Sequence, residues 1–156
     1  MRTDRELVLL LQQNNLTALG DLYDRHQRLV FRTALGITGD EQVAADLLQD
    51  VFLRVHRFAR HIDPDRPLEP WLYRTTANLT YTWMKRHKHL LHPLEDVAEW
   101  LVGSKKQIPD YAAEIDEEWR DIQEAIASLS LQQRVVVVLY YINDLSLQEI
   151  SEILDV

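Results

Sequence analysis

Three closely spaced histidines, His87, His89 and His92, are the first group in the chain whose residue type invites chemistry, since imidazoles that converge can hold a metal. On a helix, at about 100° per residue, they splay to different sides of the axis, and a polar helix end is the better account. No Glu-x-x-His pair is present to build a bundle-type di-iron site. There is no Gly-rich phosphate loop and no Gly-x-Ser-x-Gly elbow. With zero cysteines there is no thiolate zinc site, disulfide framework or cysteine nucleophile. Asp/Glu pairs fall mostly on exposed helix faces. The residues therefore predict no catalytic group, no metal and no cofactor.

What remains is the chemistry of binding. The 24 residues from Trp71 to Leu94 include no Asp or Glu, although acids are abundant on either side. Projected as a helix, Leu72, Leu79, Trp83 and Leu90 share a face that is expected to pack inward. Arg74, Asn78, Tyr81, Lys85 and Lys88 fall near the opposite face, with Trp71 and Thr82 at its edge. Cations neutralise phosphates, aromatic rings stack on unpaired bases, and a carboxamide reads a base edge, so the stripe suits a nucleic-acid strand. A solvated basic face with two incidental aromatics accounts for the residues about as well. Trp71 directly after a proline-rich loop tips the balance towards binding, because an indole there can wedge against unstacked bases.

An upstream helix also leaves something over. Val43, Ala44, Leu47, Leu48, Val51, Phe52, Val55 and Ala59 form one broad apolar face. Opposite lie Asp46, Gln49, Asp50, Arg57 and Arg60, with Arg54 at the edge and Leu53 in their midst. Geometry alone favours an ordinary lone surface leucine. The alternative is a docking face, an apolar anchor ringed by charges.

These two helices need a scaffold, and the predicted fold class is all-α. Thr3 with Glu6 is a capping-box pattern ahead of Leu7 to Leu11. A longer helix is predicted from about Leu16 to Ile37, broken at Thr38-Gly39-Asp40, and Asp40 caps the Leu53 helix, which runs to about His61. Asp63-Pro-Asp-Arg-Pro-Leu-Glu-Pro70 is a proline-punctuated loop. The acid-free helix follows from Trp71 to about Leu91. Residues 92–112, holding Pro93, Gly103 and Pro109, read as a linker with at most one short amphipathic turn around Leu94 to Leu101. Ile115, Trp119, Ile122, Ile126 and Leu129 are then spaced by fours and threes, the seam of a fifth helix. Ser130 with Gln133 and Ser146 with Glu149 are two further capping boxes. Val135 to Val138 alone would pass for a strand, but their place between a cap and Leu139/Ile142 makes them helical.

Composition agrees. The 156 residues are 46% hydrophobic, enough for one medium domain or two small ones, and four glycines and five prolines are too few for a many-stranded β protein. No apolar run approaches a membrane span and the N-terminus lacks a signal pattern, so a soluble, cytoplasmic protein is expected. The net charge of −8 conceals two unlike parts. Residues 1–92 hold 13 Lys/Arg against 11 Asp/Glu, and residues 93–156 hold 4 against 14.

Asp46-Leu-Leu-Gln-Asp-Val-Phe-Leu-Arg-Val55 and Pro70-Trp-Leu-Tyr-Arg-Thr-Thr-Ala-Asn78 resemble region two of bacterial sigma factors, of the extracytoplasmic-function, two-domain type of the sigma-70 family. Leu22-Tyr-Asp-Arg-His26 and Gly39-Asp-Glu-Gln-Val-Ala-Ala-Asp46 fit the start of the same region. Leu129-Ser-Leu-Gln-Gln-Arg-Val135 through Tyr140, with Leu145-Ser-Leu-Gln-Glu-Ile-Ser-Glu-Ile153, resembles the start of region four. The resemblance implies a region-two domain over 1–91, an acidic linker over 92–112 and a partial region-four domain over 113–156. It implies that Asp46, Gln49, Asp50, Leu53, Arg54 and Arg57 dock on the clamp helices of the largest subunit of core RNA polymerase, which gives Leu53 a partner. It implies that the Ile62 to Glu69 loop and the following helix open a promoter −10 element and capture an unstacked non-template base. Trp71, Arg74, Asn78, Tyr81, Lys85, Arg86 and Lys88 would meet that DNA, with Asn78 reading a base and Tyr81, Lys85 and Arg86 contacting the strand. The acidic linker is similar to a segment that threads the polymerase active-site cleft, and an anti-sigma factor is an implied further partner.

There are departures. His56 stands where the family often has tryptophan, and Thr75-Thr76 where an apolar pair is common. Ser146 to Leu154 resembles the first helix of a helix-turn-helix, and the chain stops at Asp155-Val156, short of the recognition helix that enters the major groove at a −35 element. The expected function is a sigma factor that binds core polymerase and melts a −10 element, without catalysis. The alternatives are a split or co-sigma subunit, or a helical interaction protein binding polymerase or an anti-sigma factor without promoter recognition. A helical metalloenzyme is a third class.

Overall fold

The capping signals at Thr3, Asp40, Ser130 and Ser146 are all in use in the computed structural model, which describes residues 1–101 and 117–155, with side chains for 1–87 and, 123 apart, 121–155. Helix α1 (Asp4–Gln12) opens on Thr3, whose hydroxyl accepts the Glu6 N–H while the Glu6 carboxylate accepts the Thr3 N–H. Helix α2 (Leu16–Thr38) is capped by Asn15 and ends at Gly39, whose φ of 69° an L side chain resists. Helix α3 (Glu41–Arg57) opens on Asp40, which accepts the N–H groups of Gln42 and Val43. After α4 (Glu69–Leu101) and α5 (Glu117–Ala127) come α6 (Leu131–Val137) and α7 (Leu147–Leu154), both begun by the expected capping boxes at Ser130 and Ser146. Val135 to Val138 are helical, as expected, and the ladder then widens into a π turn over Val138–Ile142.

Three boundaries differ from expectation. Helix α3 stops at Arg57, and Ala59–His61 form a separate 3-10 turn. Arg54, His56 and Arg57 crowd the last turn of α3, where cations suit the carbonyl end. Helix α4 begins at Glu69, since a proline is tolerated in a first turn. It also runs ten residues past Leu91, so the linker expected over 92–112 starts as helix. Leu90, Leu94, Val97 and Leu101 continue the apolar spacing, and Pro93 forgoes one ladder hydrogen bond without ending the helix. Residues 102–112 of that linker, and Ile115, lie outside the described residues.

Two apolar cores hold these helices. The first packs α1, α2 and α3 with the start of α4, around Leu7, Leu22, Phe31, Leu48, Val51, Leu68 and Leu72. The second joins α2 and α4 to the C-terminal helices, setting Ile37, Tyr73, Ala77 and Met84 among Ile126, Val138, Leu139, Ile150 and Ile153. Helix α4 is thus buried on two sides. This corrects the single inward face expected for it: Leu72 is buried, Leu79 and Trp83 are half-buried, and Tyr73, Thr76, Ala77, Thr80 and Met84 are the more deeply placed. The α5 seam also differs, because Ile126 is buried while Ile122 is 42% exposed. Gly36 on α2 lies where the second core is tightest. A Cβ there would meet Ile142 Cδ1 and Val138 Cγ2, both at 3.0 Å. Arg134 ties the junction together, donating to Leu129 O (3.1 Å), Ala127 O (2.9 Å) and Ile37 O (3.4 Å).

Candidate nucleic-acid and protein-docking interface

Helix α3 presents the face its sequence implied. Ala44, Leu47, Leu48, Val51, Phe52, Val55 and Ala59 are buried, Val43 is half-buried, and Asp46, Gln49, Asp50, Arg54, Arg57 and Arg60 are exposed around a Leu53 that is 63% exposed. The buried row fixes the rotation of the helix, so Leu53 has no route inward. Desolvation first, then the neighbouring Asp46, holds the Asp50 carboxyl above its ordinary range, with Arg54 pulling the other way.

On α4 the expected stripe divides in two. Arg74, Asn78, Thr82 and Arg86, one turn apart, line a cleft of about 430 Å³ whose other wall is Leu47, Asp50 and Arg54 of α3. Asn78, Thr82 and Arg86 are exposed, and Thr75, Leu79, Trp83 and His87 complete the lining. Tyr81 and Lys85 are not in the cleft: Lys85 Nζ sits 5.4 Å above the Tyr81 ring, and that ring packs against the second core. Trp71 packs half-buried against the first core. The side chain of Lys88 lies outside the described residues. A rise of 1.5 Å per residue puts Arg74 and Arg86 roughly 18 Å apart along the axis, the reach of several nucleotides. From α4 the cleft is thus lined by two cations, a carboxamide and two hydroxyls, which face the Asp50 carboxylate and the Arg54 guanidinium of α3.

Arg74 has a second engagement that the sequence did not reveal. Its Nη2 donates to Glu152 O on α7 at 3.0 Å, across 78 residues of chain. His87 stacks on Trp83 at 4.4 Å and 13°, with Nδ1 2.9 Å from Trp83 O, so its ring is occupied within its own helix. The side chains of His89 and His92 lie outside the described residues.

The loop before α4 is anchored at both ends. Ile62 and Leu68 are buried, and between them 63–67 are exposed except for a half-buried Pro64. Asp63 Oδ1 accepts the Asp65 N–H at 2.9 Å, closing a local turn. Helix α1 reaches this loop through Gln12 and Arg5, and Asp4 accepts from Arg25 (2.6 Å) and His26 (2.8 Å) beside Glu69. Asp4, His26 and Glu69 are the one histidine–carboxylate cluster among the described residues, and the Asp4 carboxylate is already satisfied by its two donors. Sequence spacing had no means of finding these partners, which are 21 to 65 residues apart.

Comparison with known proteins gives the family of the chain. The family profile for sigma-70 region 2 matches residues 22–90, and that for sigma-70, region 4 matches residues 119–156. The chain is 26% identical over 138 residues to the ECF RNA polymerase sigma factor SigM of Bacillus subtilis, covering 88% of this chain and 82% of that protein. It is 29% identical over 156 residues to the ECF RNA polymerase sigma factor SigM of Mycobacterium tuberculosis, covering 99% and 75%. Among solved structures, CnrH in complex with the cytosolic domain of CnrY shares the fold, with a TM-score of 0.66 at 24% identity over 98% of this chain and 83% of that one. No helix among the described residues is long and apolar enough to cross a membrane. With two sigma-70 regions matched in order and such relatives along nearly its whole length, the chain belongs to the extracytoplasmic-function type of the sigma-70 family.

Proposed function

We propose that this chain binds core RNA polymerase through α3 and opens a promoter −10 element with the 62–69 loop and α4. The observation that carries this is the adjacency of two unlike surfaces. An apolar anchor in a charged ring, Leu53, stands on the same helix that supplies Asp50 and Arg54 to the Arg74–Asn78–Arg86 cleft. Leu53 within Asp46, Gln49, Asp50, Arg54 and Arg57 fits a protein partner. Asn78 reads a base edge, Arg74, Arg86 and Lys88 meet phosphates, and Trp71, Tyr81 and Lys85 flank the strand. Both surfaces sit on elements that meet in the first core, so a duplex held against polymerase by one face is opened by the other.

The test is co-purification with core polymerase, followed by binding of the complex to single-stranded oligonucleotides carrying −10-like sequences. Retention on polymerase with affinities that differ between oligonucleotides is expected; retention with equal affinity for every sequence would overturn the base-reading half. A second reading is a co-sigma or interaction subunit held by polymerase or an anti-sigma factor. The Arg74 to Glu152 contact favours it, because it draws a cation of the cleft towards the chain's own C-terminal helices. The solved relative CnrH is itself bound to the cytosolic domain of CnrY. An anti-sigma partner for this chain is part of the proposal.

A further inference from the structure

Helix α1 does not contribute to either proposed surface, yet its polar side chains converge on the loop between the 3-10 turn and α4. Gln12 Nε2 carries two N–H groups, and both go to the loop entrance: Ala59 O at 2.9 Å and Ile62 O at 3.0 Å. Ala59 O also accepts the Ile62 N–H at 3.2 Å, which closes the 3-10 turn, and Ile62 O follows where the chain leaves that turn. Further along, Arg5 Nε donates to Asp65 Oδ1 at 2.8 Å, next to the loop tip. At the loop exit, Glu69 lies beside Asp4, whose carboxylate is held by Arg25 and the buried His26. The other side of α1 is anchored by Leu7, Val8 and Leu11 in the first core.

From this we infer that α1 is a bracket that sets the conformation of the 62–69 loop, and that Gln12 is a positioning residue for base capture. The inference rests on the proposed function, since it supplies the specificity device of that same site. A half-buried carboxamide with both hydrogens on loop carbonyls fixes the entrance in two places at once. Loops reading bases must be held to a fraction of an ångström, because a shifted pocket loses the difference between right and wrong bases before it loses backbone contact. The Arg5–Asp65 pair is mostly exposed and contributes less. Its place near the tip makes it a fine adjustment.

The experiment compares Gln12→Met with the unmodified chain, each bound to core polymerase. Affinities are measured for a −10 oligonucleotide and for versions with single bases replaced. The unmodified chain is expected to discriminate between them. Gln12→Met is expected to lose roughly tenfold of that discrimination, the scale of two partly buried hydrogen bonds removed, while polymerase affinity stays unchanged. Discrimination equal to that of the unmodified chain overturns the inference. So does an equal loss on every oligonucleotide together with weaker polymerase binding, which would mark Gln12 as merely structural. Absence of discrimination in the unmodified chain overturns the proposed function and the bracket with it, and is told apart because no variant is involved. Should Gln12→Met fail to fold, the surface pair serves instead. Arg5→Asp is expected to reduce discrimination roughly two- to fivefold, and adding Asp65→Arg to restore it. No restoration by the swapped pair overturns the bracket.

Discussion

Replacing Gly36 by alanine brings two physical effects into direct opposition. Within a helix interior, alanine is favoured over glycine by about 1 kcal/mol. Against this stands the space: the new Cβ would lie 3.0 Å from Val138 Cγ2, 3.3 Å from Val138 Cγ1 and 3.0 Å from Ile142 Cδ1. Ile142 is half-buried and its terminal methyl can swing aside. Val138 is fully buried, β-branched and touched on both methyls, so relief there requires moving the π turn or α2. Overpacking of this kind costs about 1–3 kcal/mol, so the net expectation is a loss of roughly 1 kcal/mol, concentrated in the docking of the C-terminal helices. Val138→Ala alone should cost on the order of 2 kcal/mol by removing two buried methyls. The double variant should be more stable than the sum of the singles implies, by about 1–2 kcal/mol, because each change makes room for the other. Urea unfolding gives the stabilities, and amide exchange in α6 and α7 shows whether the loss is local. Gly36→Ala gaining the full helix preference, with strictly additive behaviour alongside Val138→Ala, would refute the claim that this glycine is required for close approach.

Other expectations follow from the two surfaces. Leu53→Asp should abolish binding to core polymerase while circular dichroism keeps its helical signal; unchanged affinity would remove Leu53 as the anchor. Asn78→Ala should weaken binding of a single-stranded −10 oligonucleotide to the polymerase complex for one base identity in particular, and a uniform loss across sequences would indicate backbone contact. Asp50→Asn should stabilise the fold slightly, by less than about 0.5 kcal/mol given its exposure. Because folding raises the Asp50 pKa, the folded chain disfavours the carboxylate, so the gain is present at neutral pH and disappears as pH falls below the carboxylate range. A gain that grows on acidification in thermal melts would contradict that sign.

The helices and their caps were legible because caps and apolar periods are local. Thr3, Asp40, Ser130 and Ser146 signal their roles within three residues, and the burial pattern of α3 follows from its own spacing. The face of α4 was legible only in half. Tyr73 carries a polar group that a period-based reading sets outside the core, and it is buried because a second set of helices covers that side. Likewise Pro93 argues locally for a helix end, while the apolar positions on either side continue the pattern. The division of the basic stripe into a cleft row and a Tyr81–Lys85 pair depends on where α3 lies, which no spacing within α4 encodes. Gln12 and Arg5 are ordinary surface-type residues in sequence, and only the return of the chain after α3 gives them partners.

The hydrogen bond from Arg74 to Glu152 O gives one guanidinium to the docking of α7 and, on the proposed function, to the binding of a strand in the cleft. Equilibria that share a group are linked, and the linkage is reciprocal. Whatever factor a strand in the cleft loses because α7 is docked, a ligand that clamps α7 in place loses because the strand is bound. The strength of the antagonism is then a single number, measurable from either side, and it vanishes at Arg74→Ala if that side chain alone carries it.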